Sequence, residues 1–313
     1  MFSSHAKSFK SGWTGLLLLG LLGLTACEEI PNDLGSQRTT APLQRSAESL
    51  RLQQYYSGVQ TRLQAQGLLR TDNGGTDAPF TSRTLVEDFE RIALFDEYTI
   101  RGNQFVAQQT ESSLRRWQQP VRIGLVFGEL VPEETRVKDR LNVANYAKRL
   151  AGLTGLDIRI TDTDPNFHVL FLHRDEQKTV GPELRRRMPG LSQIVVKEIG
   201  NSPRNTFCVA YAFSDRANVN VYQSAIILVK AEHTGLMRLS CIHEEMAQAL
   251  GLANDSPNVR PSIFNDDEEF ALLTRHDELL LRMLYDRRLK PGMNAETARP
   301  LLPRIASDVL GGS

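Results

Sequence analysis

Polar side chains that could bind a cation or activate a water molecule cluster between residues 244 and 256. Glu244 and Gln248 are four residues apart, so a helix presents both on one face, with Glu245 beside them. Carboxylate and amide oxygens are ligands for hard cations such as Ca²⁺ and Mg²⁺, and a carboxylate can also serve as a general base. The same spacing fits the solvated face of an amphipathic helix. The cluster continues with Gly251, Asn254, Asp255 and Ser256.

The segment resembles the zinc helix of the metzincin peptidases, HExxHxxGxxHDS, with every histidine replaced. The resemblance places Glu244, Gln248 and Asn254 where that family has its zinc ligands. It places Glu245 where the family has the general base, and Gly251 where the chain turns back to deliver the third ligand. Zinc favours imidazole and thiolate ligands. The replaced set therefore predicts a domain that does not bind zinc tightly, and it favours an inactive peptidase.

Downstream residues extend this resemblance. Metzincins have a methionine-containing turn beneath the metal, and residues 261–264 resemble it, with Ile263 followed by Phe264 in place of the methionine. The next segment resembles the closing helix of matrixin-like members, and its Thr274 and Asp277 have the spacing of a capping box. The resemblance implies an α+β fold, with a metzincin-like mixed sheet, long helices and a C-terminal helical subdomain.

The chain as a whole is similar to a bacterial family of exported lipoproteins known only as a domain of unknown function. The similarity runs from residue 80 to residue 293. Its matching stretches are residues 87–94, residues 115–117, residues 241–256 and residues 274–293. That family implies no activity, so the function has to be inferred from the chemistry of these residues.

Apolar segments after residue 120 predict the elements that position the polar cluster. Short apolar runs predict strands, and apolar residues repeating every three or four positions predict helices. The predicted strands are 121–127, 156–161, 167–172, 207–213 and 225–229, and the predicted helices are 133–153 and the one after Gly235 that carries the cluster. By itself this order fits either α+β or α/β.

The chain is predicted to divide into four parts. These are a lipoprotein signal peptide (1–26), a lipidated tether (27–45), a helical annex with a hairpin (46–119) and the degenerate metzincin-like domain (120–313). The tether is rich in Pro, Gly, Ser and Thr and lacks apolar periodicity, as is typical of linkers. The annex is predicted to contain helices at 46–68 and 85–95 and a hairpin at 98–106.

The amino terminus has the features of a bacterial lipoprotein signal. Lys7 and Lys10 precede an apolar run at 13–24 that is too short to span a membrane, and a Leu-Thr-Ala-Cys lipobox ends at Cys27. Cleavage before Cys27 and lipidation of its thiol would anchor the protein to a membrane. Glu28 is not a retention signal, so an outer membrane facing the periplasm is favoured. An ordinary signal peptide with an incidental cysteine is the alternative.

Charge argues against a nucleic-acid partner. The chain has 37 basic and 37 acidic residues, and the predicted mature form has 35 basic residues against 37 acidic ones. Nucleic-acid binding requires a basic face. The run of arginines at 185–187 is predicted to be a solvated helix surface. The predicted partners are therefore the membrane, through Cys27, and an envelope protein or peptide.

Two cysteines remain once Cys27 is lipidated, Cys208 and Cys241. Export places both in an oxidising compartment, so a disulfide between them is expected. It would tie a strand of the sheet to the helix that carries the polar cluster. A reduced, buried pair is the alternative.

Three functions remain open. The first is a lipid-anchored envelope protein whose domain has lost zinc and needs no cofactor. It would bind a peptide or protein in the cleft that corresponds to the active site of the peptidases. The second is an active hydrolase in which oxygen ligands hold a divalent metal and Glu245 acts as the base. The third is a structural envelope lipoprotein without a functional cleft. Substituting Glu245 with Gln separates the first two, because only a hydrolase requires its carboxylate.

Overall fold

The computed structural model of the protein describes residues 44–312 apart from residues 76, 103, 215 and 266. The predicted signal peptide, Cys27 and most of the predicted tether lie outside these residues. The described residues form one compact unit with an α+β fold, which confirms the predicted fold class. No helix among them is both long enough and apolar enough to cross a membrane.

The described residues contain ten helices and eight strands. The helices are α1 (Ala47–Ala65), α2 (Ser82–Ala93), α3 (Glu133–Thr154), α4 (Arg174–Gln177), α5 (Gly181–Arg187), α6 (Gln193–Gly200), α7 (Gly235–Gln248), α8 (Arg275–Leu284), α9 (Ala295–Ala298) and α10 (Leu302–Gly311). The strands are β1 (Phe95–Arg101), β2 (Gln104–Glu111), β3 (Arg116–Trp117), β4 (Val121–Phe127), β5 (Ile158–Ile160), β6 (Phe167–Leu172), β7 (Cys208–Ser214) and β8 (Val221–Lys230).

The main sheet is largely parallel. Its strand order is β3-β8-β6-β4-β5, all in parallel, and β7 is added antiparallel to β8. In the register, Val169 of β6 lies opposite Leu125 of β4 and Ile227 of β8. Every residue of β6 is buried, as expected for a parallel strand that is covered on both faces. Strands β1 and β2 form a separate antiparallel hairpin.

Alternate residues of the sheet enter two different cores. Val169 and Phe171 of β6 belong to the larger cluster, which also contains buried residues of α2, α3, α7, α8 and α10. Leu170 and Leu172 belong to the smaller cluster, together with buried residues of α5 and α6. This alternation follows from the two-residue period of a strand. Helix α7 therefore lies on the face of the sheet that packs the larger core.

Helix α7 is fixed at both ends by other elements. In its first turn, the backbone N–H of Met237 donates to Oε1 of Gln60 in α1 at 3.0 Å, which satisfies one of the free donors of a helix start. After the helix, Gly251 has a φ of +124°, and a Cβ at this position would overlap the backbone oxygen of Arg115. Glycine is therefore required here by both its backbone conformation and its packing.

The Arg-Arg-Trp run at 115–117 joins the ends of two helices. The indole of Trp117 donates to the backbone oxygen of Ala249 at 2.9 Å, just after α7. The guanidinium of Arg116 donates to the backbone oxygens of Leu284 and Leu289, at and beyond the end of α8. These contacts satisfy carbonyl groups that a helix end leaves open.

Most predicted elements appear close to their predicted bounds. Strands β4 and β6 have the predicted bounds, and β8 begins four residues earlier than predicted. The arginines at 185–187 are exposed on α5, as predicted. Helices α4 and α6 were not predicted, because runs of four to eight residues contain too few turns to establish a helical period.

Candidate functional site

A cleft of about 440 Å³ lies between the start of β7 and helix α7. Four carboxylate side chains line it, and the described lining residues include no Lys, Arg or His. The part of the lining that the structure describes is therefore acidic. The lining residues are Asn205, Thr206, Phe207, Cys208, Met237, Ser240, Cys241, Glu244, Glu245, Asp255, Ile263, Asn265 and Glu268.

A disulfide joins Cys208 to Cys241 across this cleft. It links the first residue of β7 to the middle of α7, with the two Cα atoms 5.7 Å apart. The bond closes a loop with a sequence separation of 33 residues. Loop entropy in the unfolded chain gives such a bond a stabilising contribution of about 4 kcal/mol. The disulfide fixes the distance between the strand and the helix that form the walls of the cleft.

Glu244 and Glu245 lie in the cleft at different depths. Glu244 is half-buried, whereas Glu245 is 4% exposed. One carboxylate oxygen from each lies within 4.8 Å of the other and of the sulfur of Cys208. In this oxidised structure that sulfur is bonded to Cys241, so it is not available as a thiolate ligand.

The three predicted ligand positions do not form one set. Glu244 lines the cleft, but the side-chain amide of Gln248 donates to both carboxylate oxygens of Asp255, at 2.9 and 3.1 Å. Asn254 is 1% exposed, and its side-chain amide donates to the backbone oxygen of Arg91 at 2.7 Å. Asn254 therefore faces the end of α2 and is not among the residues that line the cleft. Glu244, Gln248 and Asn254 therefore do not form the zinc site of a metzincin.

The predicted turn at 261–264 is anchored to the start of α8. Asp277 accepts hydrogen bonds from the hydroxyl of Ser262 at 2.5 Å and from the backbone N–H of Ile263 at 3.1 Å. Asp277 also completes the predicted capping box with Thr274. Ile263 lines the cleft, and Phe264 is fully buried in the core behind it.

His243 precedes the two glutamates in sequence but does not join them. Its ring stacks on Tyr146 at 4.0 Å between centroids, and its Nδ1 accepts a hydrogen bond from the backbone N–H of Leu273 at 3.2 Å. Burial lowers the pKa of His243 to about 3, and the nearby Arg149 adds to this effect. His243 is therefore a neutral packing residue at neutral pH.

Glu268 and the loop residues Asn205 and Thr206 line the cleft but were not predicted from the sequence. The acidic run at 266–269 was the available signal for Glu268. Asn205 and Thr206 carry no recognisable pattern. They reach the cleft because their loop leads directly into β7.

The sequence of the chain was compared with known protein families. A family model described as a protein of unknown function (DUF2927) matches residues 82–304. The chain belongs to this family. The matched region starts at α2 and ends within α10, so it includes the cleft and leaves α1 outside. A search of curated proteins finds no match to the chain.

Proposed function

We propose that this protein is a lipid-anchored component of the cell envelope whose cleft binds an extended, basic peptide segment of a partner without cleaving it. The observation that carries the proposal is an acidic cleft at the start of the edge strand β7. In this view the domain descends from a metzincin-like peptidase. Its retained helix, glycine turn and closing helix support that descent, and the replaced ligands explain why the peptidase chemistry is lost.

The sheet edge explains why the ligand is an extended peptide. Among the described strands, β7 pairs only with β8, so it is an edge strand. Edge strands recognise extended peptides by adding them as a further strand, with main-chain hydrogen bonds for affinity and alternate side chains for specificity. The cleft is lined by the loop that leads into this strand and by Cys208, the first residue of the strand. A peptide paired with β7 would therefore place side chains over the cleft.

Charge explains why the peptide is basic. Glu244, Glu245, Asp255 and Glu268 contribute carboxylates to the cleft, and none of its described lining residues is basic. Lysine or arginine side chains of the partner would complement this field, which raises the association rate and selects against acidic segments.

Three fluorescent peptides test the proposal by anisotropy titration. In each peptide valine alternates with one other residue, which is lysine in the first, serine in the second and glutamate in the third. The lysine peptide is expected to bind most tightly, with an affinity that falls as salt increases. Glu244→Gln combined with Glu268→Gln is expected to weaken its binding by about fivefold per charge, since an exposed ion pair contributes up to about 1 kcal/mol. The matched control removes two exposed carboxylates on α3, with Glu133→Gln and Glu134→Gln. Equal binding of all three peptides, or no binding, contradicts the proposal.

Glu245→Gln separates binding from hydrolysis. In a complementation assay this variant is expected to retain most of its function, because it removes only one of the four carboxylates of the cleft and so lowers the affinity for a basic peptide by about fivefold at most. Peptide cleavage by the wild type that disappears in the folded variant would instead establish the hydrolase alternative, with Glu245 as general base.

The lipid anchor has its own test. Metabolic labelling with a fatty-acid analogue is expected to label the wild type but not Cys27→Ala, and the variant is expected to leave the membrane fraction. Unlabelled wild-type protein would remove the anchor from the proposal and leave the peptide-binding cleft unaffected.

A further inference from the structure

Four side chains able to bind a metal meet where β7 approaches α7. Cys241, Glu244 and Glu245 are at positions i, i+3 and i+4 of α7, a spacing that places them on neighbouring parts of one helix face. Cys208 contributes from β7, and its sulfur lies within 4.8 Å of a carboxylate oxygen of each glutamate. The sulfur of Cys241 is bonded to that of Cys208. Two sulfur atoms and two carboxylates therefore share one small volume.

We infer that reduction of the Cys208–Cys241 disulfide turns this junction into a binding site for zinc or a similar thiophilic divalent cation, with Cys208, Cys241, Glu244 and Glu245 as its ligands. The site differs from the one suggested by the metzincin resemblance, because it uses neither Gln248 nor Asn254. It also does not depend on peptide binding in the cleft.

The redox step requires a dithiol reductant. Its thiolate attacks a sulfur of the disulfide, the S–S bond breaks, and the second thiol of the reductant resolves the mixed disulfide. The protein gains two electrons and two protons as two thiols, and the reductant becomes a disulfide. The cation then replaces the two thiol protons, which leave to solvent, and its own oxidation state does not change. Cys208 is half-buried and lines the cleft, so it offers the reductant a point of attack.

The donor set determines which cation fits. Two thiolates and two carboxylates supply the four ligands of a tetrahedral zinc site, with Zn–S bonds of about 2.3 Å and Zn–O bonds of about 2.0 to 2.2 Å. Thiolates select zinc over Ca²⁺ and Mg²⁺, which prefer oxygen ligands. The bound metal would hold β7 against α7 after the covalent link is broken, so the walls of the cleft stay together in both redox states.

Co²⁺ provides the probe, because its bonds to thiolates give an intense charge-transfer absorption. The protein is the full chain carrying Cys27→Ser, which removes the only other cysteine. Without reductant, no thiolate-to-cobalt absorption is expected. After treatment with a phosphine reductant, about one equivalent of Co²⁺ is expected to bind with this absorption, and excess Zn²⁺ is expected to displace it.

Two further variants assign the ligands. Glu244→Gln with Glu245→Gln keeps the disulfide and is expected to weaken Co²⁺ binding by at least about tenfold in the reduced protein. The matched control, Glu133→Gln with Glu134→Gln, is expected to bind like the parent. Cys241→Ser leaves Cys208 as a free thiol without any reductant, so a weaker cobalt–thiolate absorption is expected even under oxidising conditions.

Several results would overturn the inference. One is a reduced protein that is folded by circular dichroism yet gives no cobalt–thiolate absorption. Another is an unchanged affinity in the double glutamine variant, which would remove the carboxylates from the site. The inference is also contradicted if the reduced protein unfolds and Co²⁺ does not restore its fold. The Cys241→Ser variant, if folded and unable to bind Co²⁺, overturns it without any reduction step.

Discussion

The side chain of Asn254 donates a hydrogen bond of 2.7 Å to the backbone oxygen of Arg91, and its own backbone N–H donates to the backbone oxygen of Ile92 at 3.2 Å. These two bonds fasten the segment after α7 to the last turn of α2. The metzincin resemblance places a zinc ligand at this position, but the structure uses it as a link between two helices. Asn254 therefore has a structural role in this protein.

Asn254→Ala is expected to lower the free energy of unfolding by about 1 to 3 kcal/mol, because it leaves a buried carbonyl without its donor. Urea denaturation measures this loss. Asn258→Ala is the matched control, since Asn258 is exposed and follows in the same loop. Equal stability of the two variants would show that the Asn254 side chain does not hold the segment to α2.

A buried ion pair joins α3 to α7. Asp139 is 1% exposed, and both of its oxygens accept hydrogen bonds from the guanidinium of Arg238, including one of 2.9 Å from Nε. Asp139→Ala is expected to cost about 3 to 5 kcal/mol, because it leaves the charge of Arg238 buried without its partner. Asp157→Ala breaks the exposed pair with Arg159 and is expected to cost less than about 1 kcal/mol. Chemical denaturation of both variants measures the two losses of unfolding free energy. Equal losses would mean that Arg238 reaches solvent in the Asp139→Ala variant.

Two buried histidines and a half-buried one predict a loss of stability in acid. Burial lowers the pKa of His168 to about 4 and the pKa values of His233 and His243 to about 3. In the unfolded chain the pKa of each histidine is about 6.5. Between about pH 6.5 and about pH 4 the unfolded chain therefore binds more protons than the folded protein. The free energy of unfolding is therefore expected to fall as the pH drops through this window.

His243→Phe tests the part of this effect that belongs to one residue. The substitution keeps an aromatic ring against Tyr146 and removes one titrating group. The dependence of unfolding free energy on pH between about 4 and 6.5 is expected to become shallower, whatever the change in absolute stability. An identical slope in wild type and variant would mean that His243 accepts its proton without unfolding.

Lys230 predicts a second pH dependence, on the alkaline side. Lys230 is 2% exposed, and its ammonium group donates to the hydroxyl of Tyr56 and to the backbone oxygen of Pro203. Burial lowers the pKa of Lys230 to about 7, with the charge of Glu232 opposing this and that of Arg174 adding to it. Between pH 7 and about 10.4 the unfolded chain binds a proton that the folded protein has lost, so stability rises with pH.

Lys230→Met removes the titrating amine, so the part of the increase in stability with pH that Lys230 causes is expected to disappear. The stability of the variant relative to that of the wild type is therefore expected to be higher at pH 6 than at pH 9. Thermal melts at the two values measure the difference. A difference between the two proteins that stays constant with pH would show that the amine remains protonated throughout.

The sequence by itself determined the elements whose interactions are local. The apolar runs of β4 and β6 predicted their bounds, because a strand covered on both faces needs apolar residues at nearly every position. The Thr274–Asp277 capping box was predicted because its hydrogen bonds lie within one helix turn. The metzincin resemblance implied a turn at Gly251 after α7, and this glycine has a positive φ.

Only the tertiary structure decided how the polar residues of the site are used. The side chain of Gln248 donates to Asp255 in the loop after α7, and the buried amide of Asn254 finds its partner in α2, which is distant in sequence. Glu268 entered the cleft through the path of a loop, which no periodic pattern encodes. Cys208 met Cys241 because β7 pairs with β8 above α7. Side-chain partners set by long-range packing cannot be deduced from spacing along the chain, since spacing reports only neighbours within one helix or strand.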